Sequence, residues 1–161
     1  MIRRALACTV MAASMAASMA TGPAATAGVQ STTCTSQNRG RLDPGLTTSS
    51  ADQSLRGHGT LSACSGGGVT SGTVHGRGHG SGSCFSFSGG IRFNITWDTA
   101  ETSKGRIRFT IDNTGAAARG QIVSGKFAGE PISLSNVSFS ILEGDCTSGV
   151  TKAELDATVS L

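Results

Sequence analysis

Ile91-Arg92-Phe93-Asn94-Ile95-Thr96-Trp97 and Ile107-Arg108-Phe109-Thr110-Ile111 alternate apolar and polar residues without a break. Successive side chains of a strand point to opposite faces, so each stretch reads as a strand with one greasy and one wet surface. The short connection between them makes them neighbours in one antiparallel hairpin. With the apolar faces aligned, Trp97 is expected opposite Ile107. The same register sets Asp98 against Arg106 and Arg92 against Asp112, two opposite-charge pairs of roughly 0.2–1 kcal/mol each that favour it.

The period of two continues outward in both directions. Around Gly66-Gly67 a second hairpin pairs Leu55 with Gly78, Arg56 with Arg77 and His58 with His75. This register gathers apolar residues and glycine on one face and charges and hydroxyls on the other, a sorting that a one-residue slip destroys. The like-charge pair Arg56 and Arg77 counts against it. Further strands are expected over 120–128, 132–141 and 153–161, with Ala153, Leu155, Ala157, Val159 and Leu161 facing inward. The apolar phase changes at Ser135-Asn136, which reads as a β-bulge, and an irregular strand over 31–47 completes the set. The fold class is therefore all-β: about eight antiparallel strands in an up-and-down meander, forming a closed barrel or a β-sandwich.

The N-terminal stretch reads as an export signal. Arg3 and Arg4 precede an apolar, Ala/Met-rich run, and Ala25-Thr26-Ala27 fits a cleavage site, so a signal peptide is expected over 1–27 and a single β domain over 28–161. The run is too short to span a bilayer, so no membrane attachment is expected after cleavage, and the domain is expected to be secreted and extracellular. The whole chain carries a net charge of +3, but Arg3 and Arg4 leave with the signal, so 11 Lys/Arg face 10 Asp/Glu in the remainder. That near balance implies no nucleic-acid partner.

Cys34, Cys64, Cys84 and Cys146 remain, too widely spaced for a C-x-x-C metal site and even in number, as a disulfide framework requires. In a meander Cys84 and Cys146 fall at one end, and Cys34 and Cys64 at the other. The expected bridges are therefore Cys34–Cys64 and Cys84–Cys146. Pairing Cys64 with Cys84 would span a whole strand, beyond disulfide reach.

Several pieces carry a resemblance: Leu42-Asp-Pro-Gly-Leu-Thr47, Gly57-His-Gly-Thr-Leu-Ser-Ala-Cys64, Gly82-Ser-Cys84, Ile95-Thr-Trp-Asp98, Ile122-Val-Ser-Gly-Lys-Phe-Ala-Gly129 and Gly144-Asp-Cys146. From Cys34 onward the chain resembles a family of small Gly/Thr/Ser-rich secreted β-proteins of actinomycetes. The resemblance implies export and an all-β fold and carries no activity with it. This chain departs from the pattern in being richer in Arg and His.

Three candidate sites follow from the strand phases. Arg56, His58, His75, Arg77 and His79 share one outward face and form a basic stripe suited to an anionic cell-wall polymer or acidic polysaccharide. His58 and His75 lie opposite each other, but no third ligand joins them; no metal and no cofactor are expected. Phe93, Trp97, Phe109 and Phe127 lie on inward phases and, in a barrel, would line a cavity for a small apolar ligand, as in lipocalin-like carriers. There is no G-x-S-x-G elbow, and the acidic residues cluster in turns, where capping is their ordinary role. The chain is therefore expected not to be an enzyme but a non-catalytic domain with a structural or binding role outside the cell.

Overall fold

The computed structural model describes residues 31–161; the signal peptide expected over 1–27 lies outside them. Eight strands follow one another as β1 (Thr33–Leu46), β2 (Ala51–Ser65), β3 (Gly72–Gly82), β4 (Ser86–Trp97), β5 (Thr102–Asp112), β6 (Gly115–Gly125), β7 (Pro131–Glu143) and β8 (Val150–Ser160). Each pairs antiparallel with its sequence neighbours, and β1 pairs with β8, so the sheet closes into an up-and-down barrel. Closure, rather than a sandwich, removes the edges that an open sheet would leave unpaired.

The β2–β3 register runs as the hydrophobic sorting requires: Leu55 faces Gly78, Arg56 faces Arg77 and His58 faces His75. Its tip differs. The paired segment ends at Leu61 and Gly72, and Val69 folds back into the core. The β4–β5 register departs from the expectation. Ile91, not Trp97, lies opposite Ile107, and Arg92 lies opposite Arg106. The cause is the compact turn, in which Trp97 N–H donates to the Glu101 carbonyl and Ala100 N–H to the Trp97 carbonyl. The acids assigned to the ladder are used in turns. Asp98 accepts from the Thr70 hydroxyl and N–H, and Asp112 accepts from the Thr114 hydroxyl and N–H. Phase also decides β7, where pairing with β8 slips between Ser135 and Ser138, and Asn136 takes a left-handed φ of 50°.

One end of the barrel, the base, is where residue 161 meets residue 32 through two backbone hydrogen bonds. It is plugged by Trp97, 2% exposed, whose ring packs edge-on against Phe127 with centroids 5.3 Å apart. The Trp97 indole N–H donates to the buried Ser103 hydroxyl at 2.8 Å, and that hydroxyl donates to the Lys126 carbonyl, so the polar tip is satisfied inside the plug. Cys34–Cys64 ties β1 to β2 here. The opposite end, the rim, gathers Leu42, Leu46, Leu55, Phe87 and Val150. Cys84–Cys146 ties the β3–β4 loop to the β7–β8 loop, and both loops also bond to the β1–β2 turn at Thr47 and Thr48. Nearby, the buried Gln53 amide accepts from Gly45 N–H at 2.8 Å and donates to Gly45 C=O at 3.1 Å.

Inward glycines decide how the aromatic rings fit. A Cβ on Gly72, Gly80, Gly89 or Gly105 would fall on the ring of Trp97, Phe87, Phe109 or Phe93 respectively. Each ring thus lies over a neighbouring strand's glycine, covering backbone that has no side chain of its own.

The turn carboxylates Asp98, Asp112 and Asp145 are held below the ordinary carboxylate range. The Thr70 hydroxyl and then its N–H do this for Asp98, the Thr114 hydroxyl and then its N–H for Asp112, and chiefly the Ser148 N–H for Asp145. A carboxylate more acidic folded than unfolded lends stability that is complete above the ordinary range and is lost as the pH falls through and below it. The melting temperature is therefore expected to fall from about pH 5 to about pH 2, and less steeply in Asp98→Asn/Asp112→Asn/Asp145→Asn.

Candidate functional site

The ladder between β6 and β7 is short. It runs only from Ala118–Leu134 to Gln121–Pro131, near the base, whereas β4–β5 is paired from Thr96–Thr102 to Ser86–Asp112. Above it β6 carries the small residues Gly115, Ala116 and Ala117, while β7, past its bulge, stays with β8 and leaves β6. The result is a slit in the wall. Phe139 and Ile141 lie opposite Leu155 and Ala153, on the phase that faces inward, yet remain 43% and 49% exposed because no strand covers them.

Behind the slit is an interior cavity of about 290 Å³. Ile111, Ala116, Val137 and Phe139 frame its mouth; Leu42, Ile91, Phe93, Ile107 and Phe109 form part of the inner lining. Several of these inward residues, among them Ile91, Ile107 and Phe109, are only half-buried, because they border space rather than other side chains. Gly40 and Gly76 widen it: a Cβ on Gly40 would have no neighbour nearer than 3.9 Å. Polar residues border it too, Ser83 and Ser86 at the rim among them; on β1, Asn38 and Ser36 lie on the inward phase, and the Asn38 amide donates to the Ser36 hydroxyl.

Of the four aromatics assigned to a cavity, Phe93 and Phe109 line it. Trp97 and Phe127 do not. They sit in the plug at the base, where Trp97 ends β4 and Phe127 follows β6, so their rings fill the barrel end below the void. The slit was not legible in the strand pattern. Its one trace was the phase change at Ser135-Asn136, which marks where β7 leaves β6.

The five residues of the basic stripe are all exposed on the outer wall of β2 and β3. His58 stands opposite His75, while His79 pairs with Ser54 and Gly90. Among the described residues no group of three His, Cys, Asp or Glu side chains is placed to hold a metal ion. The stripe extends well past β3. Arg41, Arg56, Arg77, Arg92 and Arg106 lie directly opposite one another on five successive strands, and Arg108 faces Arg119 on the next row. All seven are exposed. The expected pairing of Arg92 with Asp112 and Arg106 with Asp98 had concealed this belt.

Three cations elsewhere are matched. Arg39 pairs with Glu154 at 2.7 Å, Lys126 with Glu101 at 2.6 Å, and Lys152 with Glu143. The Arg39 guanidinium is held more basic than usual by its hydrogen bond to Glu154, and Glu101 and Glu143 are pushed to lower pKa chiefly by their lysine partners. Compared with known proteins, the chain matches no family model, no curated protein and no solved structure.

Proposed function

We propose that this protein is a non-catalytic, exported β-barrel that binds a small apolar molecule in its interior. The observation that carries the reading is the cavity of about 290 Å³ behind the β6–β7 slit, walled by half-buried Ile and Phe side chains. Its size lies at the lower edge of the ~300–1,000 Å³ common to small-molecule sites, and mostly apolar walls with one polar group are the usual composition of such sites. Asn38, with Ser36 beside it, supplies that group, so the favoured ligand is a compact hydrocarbon frame with one hydrogen-bonding substituent. Val137 and Phe139 make the entrance greasy enough for such a molecule to enter without shedding an ordered polar shell. Two disulfides support an exported setting, and the resemblance to actinomycete secreted proteins agrees with it.

The test is titration with an uncharged naphthylamine dye, whose emission rises in apolar surroundings and which gains nothing from surface arginines. Saturable binding at one site per chain is expected. Gly40→Phe, which projects a ring into the void from a position with room for it, is expected to weaken binding at least ~10-fold, or ~1.4 kcal/mol, with the melting temperature kept. Absence of saturable binding to the unmodified protein, or equal binding by a folded Gly40→Phe variant, would overturn the reading.

A further inference from the structure

A near-neutral chain has sorted its charge. On β3, β4 and β6 there is no carboxylate at all, and β2 and β5 carry one each, Asp52 and Asp112, at their rim ends. The outer wall of these five strands presents Arg56, Arg77, Arg92 and Arg106 in one row, flanked by His58, His75 and Lys104 on one side and by His79, Arg108 and Arg119 on the other. Among the described residues none of these six arginines is in an ion pair. Strands lie about 4.8 Å apart, so the row from Arg56 to Arg106 places four guanidinium stems across roughly 14 Å. Like charges directly opposite on neighbouring strands oppose folding. A wall that repeats this from β1 to β5 and again at Arg108–Arg119 is therefore held together against its own field.

We infer that the outer face of β2–β6 docks a linear acidic polysaccharide, whose carboxylates lie along the arginine row that crosses these strands. Guanidinium groups take carboxylates in forked, two-bond geometry and keep their charge at any physiological pH. The rows beside them suit sugar hydroxyls: Thr60, Thr73, Thr96 and Thr102 lie opposite one another on β2–β5, and Asn94 stands next to His75. Other polyanions fit less well. Single-stranded nucleic acid is held in good part by bases stacked on aromatic rings, and Phe87, Phe93, Trp97 and Phe109 of these strands all have inward phases. A membrane surface calls for a cluster of apolar side chains beside the cations; here the exposed Phe139, Ile141 and Leu142 belong to β7, off this face, Phe85 lies in the β3–β4 loop, and Val123 of β6 is the single exposed large apolar side chain within these five strands. This inference is independent of the cavity.

The probe is polygalacturonate, a linear uronic-acid polymer, against the exported domain at low salt. Binding that weakens steeply with salt is expected, together with a rise in melting temperature, because the polymer neutralises the crowded arginines. Arg77→Gln/Arg92→Gln is expected to weaken binding at least ~10-fold. Without polymer and at low salt, the same variant is expected to melt higher than the unmodified protein, a gain that disappears near 1 M salt, where the screening length is only about 3 Å. A purely structural role for these arginines would give the opposite sign. Lys126→Gln, outside the belt, is expected to bind as the unmodified chain does. The inference is overturned if polygalacturonate does not bind, if the double variant binds undiminished, or if DNA or phosphatidylglycerol vesicles bind as tightly at equal charge concentration.

Discussion

Replacing Cys84 and Cys146 together by serine is expected to lower the unfolding free energy by about 4 kcal/mol, the chain-entropy value for a loop of this length. The bridge joins residues 62 apart in sequence and so removes a large set of conformations from the unfolded chain. It also straps the β7–β8 loop to the rim on the side where β7 has lost β6, leaving few other bonds to hold that corner. The Cys34–Cys64 bridge closes 30 residues between strands already laddered together, and its loss is expected to cost somewhat less. Denaturant titration measures both: the midpoint falls, and the slope, which follows the surface exposed on unfolding, rises because the unfolded chain without its cross-link is less compact. A loss under about 1 kcal/mol for the rim bridge would mean that the backbone bonds of Thr47 and Thr48 suffice.

Gly120→Ala is expected to cost about 3 kcal/mol, at the upper end of the usual range for overpacking. A Cβ there would be driven into the Arg106 carbonyl and within 2.8 Å of Ile107 Cα, both backbone atoms of β5 that cannot rotate away. Gly40→Ala supplies the contrast. Its Cβ meets nothing closer than 3.9 Å, and by restricting the unfolded chain it is expected to stabilise by about 0.4–1 kcal/mol. Both glycines lie in strands and face inward, so propensity alone predicts the same sign for the two. Opposite signs in thermal or chemical melts identify local room as the deciding factor, and equal signs would reject it.

These two glycines also illustrate what could be read from the chain. Period-two alternation gave eight strands and the inward phase. The β2–β3 register followed because slippage would put Leu55 and Leu61 in water. The cysteine pairing followed from alternating strand direction. The β4–β5 register did not follow, because opposite charges were assumed to meet across the ladder. Such pairs are weak at an exposed surface, and Asp98 and Asp112 gain more by accepting hydrogen bonds from Thr70 and Thr114. That single misplacement hid the arginine belt. Whether an inward aromatic fills or merely borders space is likewise invisible in strand phase: Phe93 and Trp97 share one face of β4, yet only the latter reaches the base. Nor does a run such as Gly115-Ala116-Ala117 announce that its neighbour will depart, since losing a ladder depends on the bulge in the opposing strand.

The parted upper half of β6 and β7 has a dynamic consequence. Local opening draws on the least-bonded segments, and here the far half of β7 is fastened on one side only. Flexing there widens the gap like a zip whose lower teeth stay engaged, and no ladder elsewhere need break. For the guest proposed above, entry and exit would thereby be uncoupled from melting: its residence time would follow flexing beside Asn136, while the rest of the wall keeps its thermal resistance.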